Sequence, residues 1–271
     1  MTAANGQARD GGVGQVFQDS FLTGWRNLKR IPRIPELAIF AILQSIMFVL
    51  LFAYVFGGAI PVEGGYQTFL MPGIFAQTIV FAAGTTAIGM TDDIQKGIID
   101  RFRSLPMASS AVLIGRTFSD VIYNAGILVV LMLSGLFIGW RVDDLAALVA
   151  GFALLMAFAY AMTWLGVFLG MMVPTVEVAN QVIFTVLFPI TFLSNVFVPL
   201  NTLPSWLQPF AEWNPTSTLT AALRELWGQA NPVASDSFAA REPVLVTLVW
   251  VVLFVGIFGP LALRRYRNLS R

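Results

Sequence analysis

The chain has 271 residues, of which 57% are hydrophobic and only 11% charged, with a net charge of +1 and a mean hydropathy of +0.76. So few charges cannot cover a water-soluble domain, where roughly a quarter of residues are charged. The lack of any cysteine or histidine excludes disulfides, thiolate metal sites, Cys or His nucleophile–base pairs and imidazole relays, and the near-neutral balance implies no nucleic-acid partner.

Residues 1–14 are polar and glycine-rich, carry no cleavable signal pattern, and are expected to be a flexible N-terminus. Over residues 15–34, Val16, Phe17, Phe21, Leu22, Trp25 and Leu28 recur at spacings of one, three or four. Arg26, Lys29 and Arg30 fall largely on the other flank. This pattern predicts an amphipathic helix lying on the cytoplasmic leaflet, against the plainer reading of a basic juxtamembrane stretch. Pro32 and Pro35 end it.

Six apolar blocks follow, at 37–56, 69–90, 112–139, 145–173, 178–198 and 244–263. Each is close to, or longer than, the roughly 20 residues that cross a ~30 Å hydrocarbon layer as a helix. The expectation is an all-α membrane protein whose six transmembrane helices occupy 35–265, with a basic tail at 266–271. The third and fourth blocks exceed the minimum, so they tilt or leave the bilayer. Only 174–177 separate the fourth from the fifth, which makes them a tight hairpin.

The connections divide by charge. Arg9, Arg26, Lys29, Arg30 and Arg33 precede the first block, Lys96, Arg101, Arg103 and Arg116 lie between the second and third, and Arg264, Arg265, Arg267 and Arg271 close the chain. The opposite side carries only Arg141, Arg224 and Arg241. By the positive-inside rule both termini are cytoplasmic.

Two connections carry more than charge. In 91–106, Ile98, Ile99, Phe102 and Leu105 stand at helical spacing among Asp100, Arg101 and Arg103, and Pro106 is a stop. A short amphipathic helix fits; it can dock into a groove of a soluble partner or pack on its own spans. The second connection, 200–228, is punctuated by Pro204, Pro209 and Pro215 and holds Trp206, Trp213 and Trp227. It predicts short helices or a re-entrant element on the outer surface, with the tryptophans at headgroup level.

Within the blocks the one conspicuous charge is Asp120, with Arg116 and Asn124 four residues to either side. An intramembrane carboxylate can serve a proton relay, or Arg116 and Asp120 can pair along one helix face. Gly135–Gly139 and Gly166–Gly170 are small-xxx-small pairs that permit close helix packing.

The chain's two lysines stand in Leu28-Lys29-Arg30 and Gln95-Lys96-Gly97. Neither completes the Gly-Lys-Ser/Thr ending of a phosphate-binding loop. No cofactor site is therefore expected in this chain, and any ATP-driven activity must come from another polypeptide. An intramembrane enzyme would need a nucleophile with a base, and no lysine lies within a span. An ion-coupled secondary transporter would be expected to hold several buried carboxylates and an inverted repeat; Asp120 stands alone and no repeat is evident.

The stretch Lys96-Gly97-Ile98-Ile99-Asp100-Arg101-Phe102-Arg103-Ser104-Leu105-Pro106-Met107 resembles the cytoplasmic loop of ABC-2 type export permeases, in particular the daunorubicin/doxorubicin-resistance permease group. Phe192-Leu193-Ser194-Asn195-Val196-Phe197-Val198-Pro199-Leu200, then Leu203-Pro204-Ser205-Trp206-Leu207-Gln208-Pro209-Phe210 and Asn214-Pro215 leading to Leu223-Arg224, are similar to the same family's signature, which often has glycine at the position of Asn195. The resemblance implies that 98–106 is a coupling helix seated on a separate ATPase subunit. It also implies that the N-terminal amphipathic helix (Phe17, Phe21, Trp25, Arg26, Lys29) touches that subunit. The element holding Asn195, Pro199, Pro204, Trp206 and Pro215 would be an external re-entrant cap. It further implies two permease copies with two ATPases, ATP and Mg being held by the partner. The cargo would be hydrophobic or amphipathic compounds such as drugs or lipids, carried outward across the plasma membrane.

Overall fold

The computed structural model describes residues 35–55, 62, 64–99, 109–232 and 236–268. Among them the secondary structure is entirely helical: α1 (Pro35–Val55), α2 (Tyr66–Gln95), α3 (Ser109–Ile138), α4 (Leu145–Gly170), α5 (Val176–Phe192), a 3-10 turn (Leu200–Thr202), α6 (Gln208–Trp213), α7 (Pro215–Leu226), α8 (Phe238–Arg241) and α9 (Pro243–Asn268). Helices are the natural outcome, because a chain in hydrocarbon must satisfy its backbone polar groups within each segment. A helix lies over each of the six expected blocks. Four of them, α2, α4, α9 and Leu113–Ile138 within α3, are long and apolar enough to cross a membrane, while α5 is a shorter apolar helix. The amphipathic segment at 15–34 and the tail beyond Asn268 lie outside the described residues.

The loops follow local chemistry. Asp144 caps α4 by accepting from the Ala146 amide at 2.9 Å, and Thr175 caps α5 by accepting from Val178 at 3.3 Å. Each satisfies an amide that has no partner inside the helix. The connection between α4 and α5 is short, the fourth helix stopping at Gly170 and the fifth starting at Val176, but the two do not pack as the expected tight hairpin, because α5 lies on α2 instead. Gly139 ends α3 with φ 96, the left-handed conformation that glycine adopts at helix C-termini. It is therefore a stop signal and not a packing residue.

Helix α2 is the axis of the bundle, buried along most of its length. Its backbone meets α4 directly: a Cβ on Gly166 would strike the Ala83 carbonyl, and one on Gly170 the Ala87 carbonyl. The second small-xxx-small pair is thus a close helix contact, locked further by Thr91 Oγ1, which donates to Gly170 O at 2.9 Å. Gly84 admits Ile183 of α5, and Gly73 admits the backbone of Val196, whose carbonyl lies 2.7 Å from an ideal Cβ. Helix α9 lies on α4 through Phe158–Phe254 and Phe168–Phe258.

One end of the bundle holds α7 and is called here the cap end. At the other, the loop end, α2 runs into residues 96–99. A large hydrophobic cluster fills the cap half and the centre. A second, built on Met90, Ile99, Leu113, Trp164, Met171 and Tyr266, closes the loop end. Large apolar side chains remain exposed on α1, α3, α5 and α9, as befits surfaces that face lipid or other spans.

Candidate functional site

At the cap end, α5 stops before the chain has returned to the surface. Leu193 caps it by donating to Pro189 O at 2.8 Å, and residues 194–197 form a buried bend. Last-turn carbonyls exposed at this depth need donors, and Asn214 supplies them. Its side-chain amide donates to Ile190 O and Leu193 O, both at 2.7 Å. Its Oδ1 accepts from the Thr216 amide at 2.8 Å, starting α7, with Pro215 at the first helical position, where no amide is required. One asparagine thus fastens the end of one helix to the beginning of another.

Helix α7 has 12 residues, about 18 Å at 1.5 Å per residue, too short to cross a bilayer. Thr216 through Arg224 are nevertheless all buried, packed against α2, α4 and α9. Arg224 has no accessible surface. Its guanidinium donates twice to Phe69 O, from Nε at 3.1 Å and Nη2 at 2.7 Å, and from Nη2 to Asn195 O at 2.9 Å. Its Cζ stands 3.6 Å from the Phe69 ring centroid, a cation–π contact. The backbone amide of Asn195 donates to Ser217 Oγ at 3.1 Å, and Tyr66 Oη donates to Phe197 O at 2.9 Å. Bend, α2 and α7 therefore form one hydrogen-bonded unit.

Of the cap residues picked out in the sequence, Asn195 and Pro199 are buried, Pro215 is half-buried, and Pro204 and Trp206 are exposed. Trp206 and Trp213 are surface residues, but Trp227, expected at headgroup level with them, is not. Only 6% of Trp227 is accessible; its indole donates to Ala147 O at 3.0 Å and meets Phe75 and Trp140 edge-on. The small Gly151 opens the space for it, since a Cβ there would strike its ring. The bare composition of 200–228 carries no sign of this. Gln229, with its amide oriented by its neighbours, donates to Thr68 O at 3.0 Å and accepts from Trp140 Nε1 at 2.8 Å. Thr68 O is the acceptor that Pro72, four residues on in α2, leaves without its helical donor.

Beside the bend runs a line of five phenylalanines. Phe48 stacks on Phe52 of α1, Phe52 on Phe197 at 4.2 Å between centroids, Phe197 meets Phe192 at 5.2 Å, and Phe192 stacks on Phe188 of α5 at 4.2 Å. At the α5 end the residues are partly open, Phe188 being 42% and Phe192 43% accessible. Further toward the loop end, the same helix exposes Gln181 and Thr185, which are hydrogen-bonded to each other.

At the loop end α2 finishes at Gln95, and Lys96-Gly97 turns the chain, Gly97 having φ 64. Ile98 is half-buried, and Ile99, only 5% accessible, sits in the cluster with Met90 and Leu113. Ile99 thus packs on the protein's own spans. Asp100, Arg101, Phe102, Arg103, Leu105 and Pro106 lie outside the described residues, as do Phe17, Phe21, Trp25, Arg26 and Lys29 of the N-terminal segment. One turn before Gly97, Asp93 forms an ion pair with Arg116 of α3. Arg116 Nε also stands 3.9 Å from Asp120 Oδ2, to which Thr86 Oγ1 donates at 2.9 Å. The expected Arg116–Asp120 pair is present, but it is the longer arm of a three-residue cluster spanning α2 and α3. Asp93 stood in a charged loop stretch by sequence, and nothing local indicates its partner 23 positions away.

Together these elements define a multi-pass helical membrane protein whose cap is pinned by polar contacts and whose loop end is closed around a connection between spans. The chain belongs to the ABC-2 type transporter family, whose model matches residues 20–226. It is similar to the daunorubicin resistance ABC transporter permease protein DrrB1 of Streptomyces coeruleorubidus, 32% identical over 90% of this chain and 84% of that protein. It is also similar to the putative transport permease ycf38 of Cyanophora paradoxa, 26% identical over 82% and 78%. The doxorubicin resistance ABC transporter permease protein DrrB of Mycobacterium tuberculosis is 28% identical over 76% and 71%.

Proposed function

We propose that this chain is the transmembrane subunit of an ATP-driven exporter that moves hydrophobic or amphipathic compounds, drugs or lipids, outward across the plasma membrane. The observation that carries the reading is the open face of α5. Its Phe184, Phe188 and Phe192 offer ring surface, while Gln181 and Thr185 on the same helix, with one hydrogen bond between them, keep polar capacity that lipid cannot satisfy. A face of this mixed character suits one wall of a cargo path, with a second copy of the chain as the other wall. All six helices then cross the bilayer, both termini are cytoplasmic, and α7 with the bend is an external re-entrant cap. Aromatic cargo such as the drugs in the relatives' names would stack on the open rings.

Energy comes from two copies of a separate ATPase subunit holding ATP and Mg. Phe102 and Leu105, flanked by Asp100, Arg101 and Arg103, dock into that subunit up to Pro106. Ile99, buried at the loop end, ties the docking segment to the spans, and the amphipathic helix of Phe17, Phe21, Trp25, Arg26 and Lys29 makes a second contact. The ion-coupled alternative gains no support from Asp120, which is engaged by Thr86 and Arg116.

The test is co-purification and cargo-stimulated ATP hydrolysis with a co-expressed ABC ATPase subunit. Phe102→Ala removes a central anchor of about 2 kcal/mol. It should lower ATPase retention and transport while leaving membrane abundance unchanged; Arg103→Ala should act in the same direction. Wild-type retention and transport in both variants would refute the docking assignment, and robust ATP hydrolysis by the chain purified alone would refute the division of labour.

A further inference from the structure

The ion cluster at the loop end has a position that the proposed function does not by itself explain. Asp93 lies near the end of α2 and Arg116 near the beginning of α3, so their pair bridges the two helices that flank residues 96–108. Both side chains are 85% shielded, each retaining 15% accessibility. Arg116 reaches Asp93 by lying across Gly89, where a Cβ would strike its Nη2. The bare glycine surface is therefore the seat of the guanidinium. Asp120, one turn further along α3, lies 3.9 Å from Arg116 Nε and receives the Thr86 hydroxyl from α2.

Two features distinguish this cluster from ordinary packing. First, it is not needed to hold α2 in the bundle, because α2 is already seated on α4 through Gly166 and Gly170 and on α5 through Gly84. Second, Arg116 stands between two carboxylates, so its removal takes away the charge that offsets the repulsion between Asp93 and Asp120. The two helices would then be pushed apart where the connecting segment departs. The exposed Lys96–Asp92 pair joins neighbours on one helix and does not substitute for it.

We infer that Arg116 is a positioning residue for energy coupling: it clamps α2 to α3 so that force on the 96–108 segment moves both helices together. This inference rests on the exporter reading. When the ATPase pushes on the segment, a clamped pair of helices moves as one lever. An unclamped pair lets α3 yield locally, and the displacement is lost before it reaches the cap end. Coupling of this kind needs an element with a definite mechanical connection to both sites, and the cluster supplies it.

The experiment uses the full permease–ATPase complex in vesicles and measures cargo moved per ATP hydrolysed. Arg116→Gln should lower that ratio by about tenfold, within the usual range of coupling free energies, with ATPase retention and basal hydrolysis unchanged. Arg116→Lys, which keeps the charge, should recover a large part of it. Gly89→Leu tests the seat independently, since it displaces the guanidinium without altering any charge, and it should reproduce the Arg116→Gln defect. Because the chain has no cysteine, spin labels introduced at Lys96 and Phe118, both exposed, report the α2–α3 separation in the permease itself. Their distance distribution should broaden in Arg116→Gln and Gly89→Leu. A wild-type transport ratio in both variants, or an unchanged label distance, overturns the clamp. A wild-type chain that neither retains an ATPase nor transports overturns the exporter reading instead, with the label distances still reporting whether the clamp exists.

Discussion

Replacing Arg224 by Met is the sharpest probe of how the cap is held. Methionine fills similar space but donates nothing, so Phe69 O loses two donors and Asn195 O one. Losing its charged donor costs each of these two buried acceptors about 1–3 kcal/mol, and the desolvated contact with the Phe69 ring contributes about 2 kcal/mol more. Against this loss of about 4–8 kcal/mol stands relief from burying a cation, which costs several kcal/mol when no carboxylate neutralises it. The net expectation is a destabilisation of about 2–4 kcal/mol. At roughly 2–4 °C per kcal/mol, the unfolding midpoint of the detergent-solubilised protein should fall by roughly 5–15 °C. Arg224→Lys should fall between wild type and Met, since a point charge cannot reproduce the planar fork that serves two carbonyls. If Arg224→Met melted with the wild type, the hydrogen bonds would merely offset the desolvation they require, and the cap would be held by packing alone.

Two further outcomes follow from the same region. Asn214→Ala removes the start of α7 and orphans Ile190 O and Leu193 O, so it should cost about 2–4 kcal/mol in the same unfolding measurement and raise proteolysis within 198–214. Phe188→Ala and Phe192→Ala, whose rings are already partly open, should leave the midpoint nearly unchanged. Each should weaken binding of a flat aromatic cargo by roughly 2- to 10-fold, read by fluorescence titration of the purified complex; unchanged affinity in both would remove α5 from the cargo path.

Much of the architecture was legible because its causes are local. Uninterrupted apolar blocks announce helices, and Gly166 and Gly170, four apart, give α4 a bare stripe whatever lies opposite. Asn214-Pro215 is a readable helix start. What stayed hidden depends on partners distant in sequence. Arg224 reads as one charge on a sparsely charged side, and only the approach of Phe69 and Asn195, 155 and 29 positions away, turns it into an internal fastener. Trp227 reads as an interfacial anchor until Gly151 is seen to make room for it. Asp93 is one of several acids in a mixed stretch until Arg116 crosses Gly89 to meet it. The phenylalanine line is likewise invisible by periodicity, because its rings come from α1, the bend and α5.

The burial of Arg224 also constrains the order in which the protein can be built. A helix whose arginine forms no ion pair among the described residues cannot bury that charge early, because it would be stripped of water before acceptors existed. Those acceptors are the Phe69 carbonyl in α2 and the Asn195 carbonyl in the bend, both earlier in the chain. During synthesis, α2 and the turn after α5 must therefore be in place before Arg224 of α7 can leave water. Burial of Arg224 thus depends on the earlier spans, and a nascent chain in which they are misplaced would keep that arginine in water, where a quality-control protease can find it.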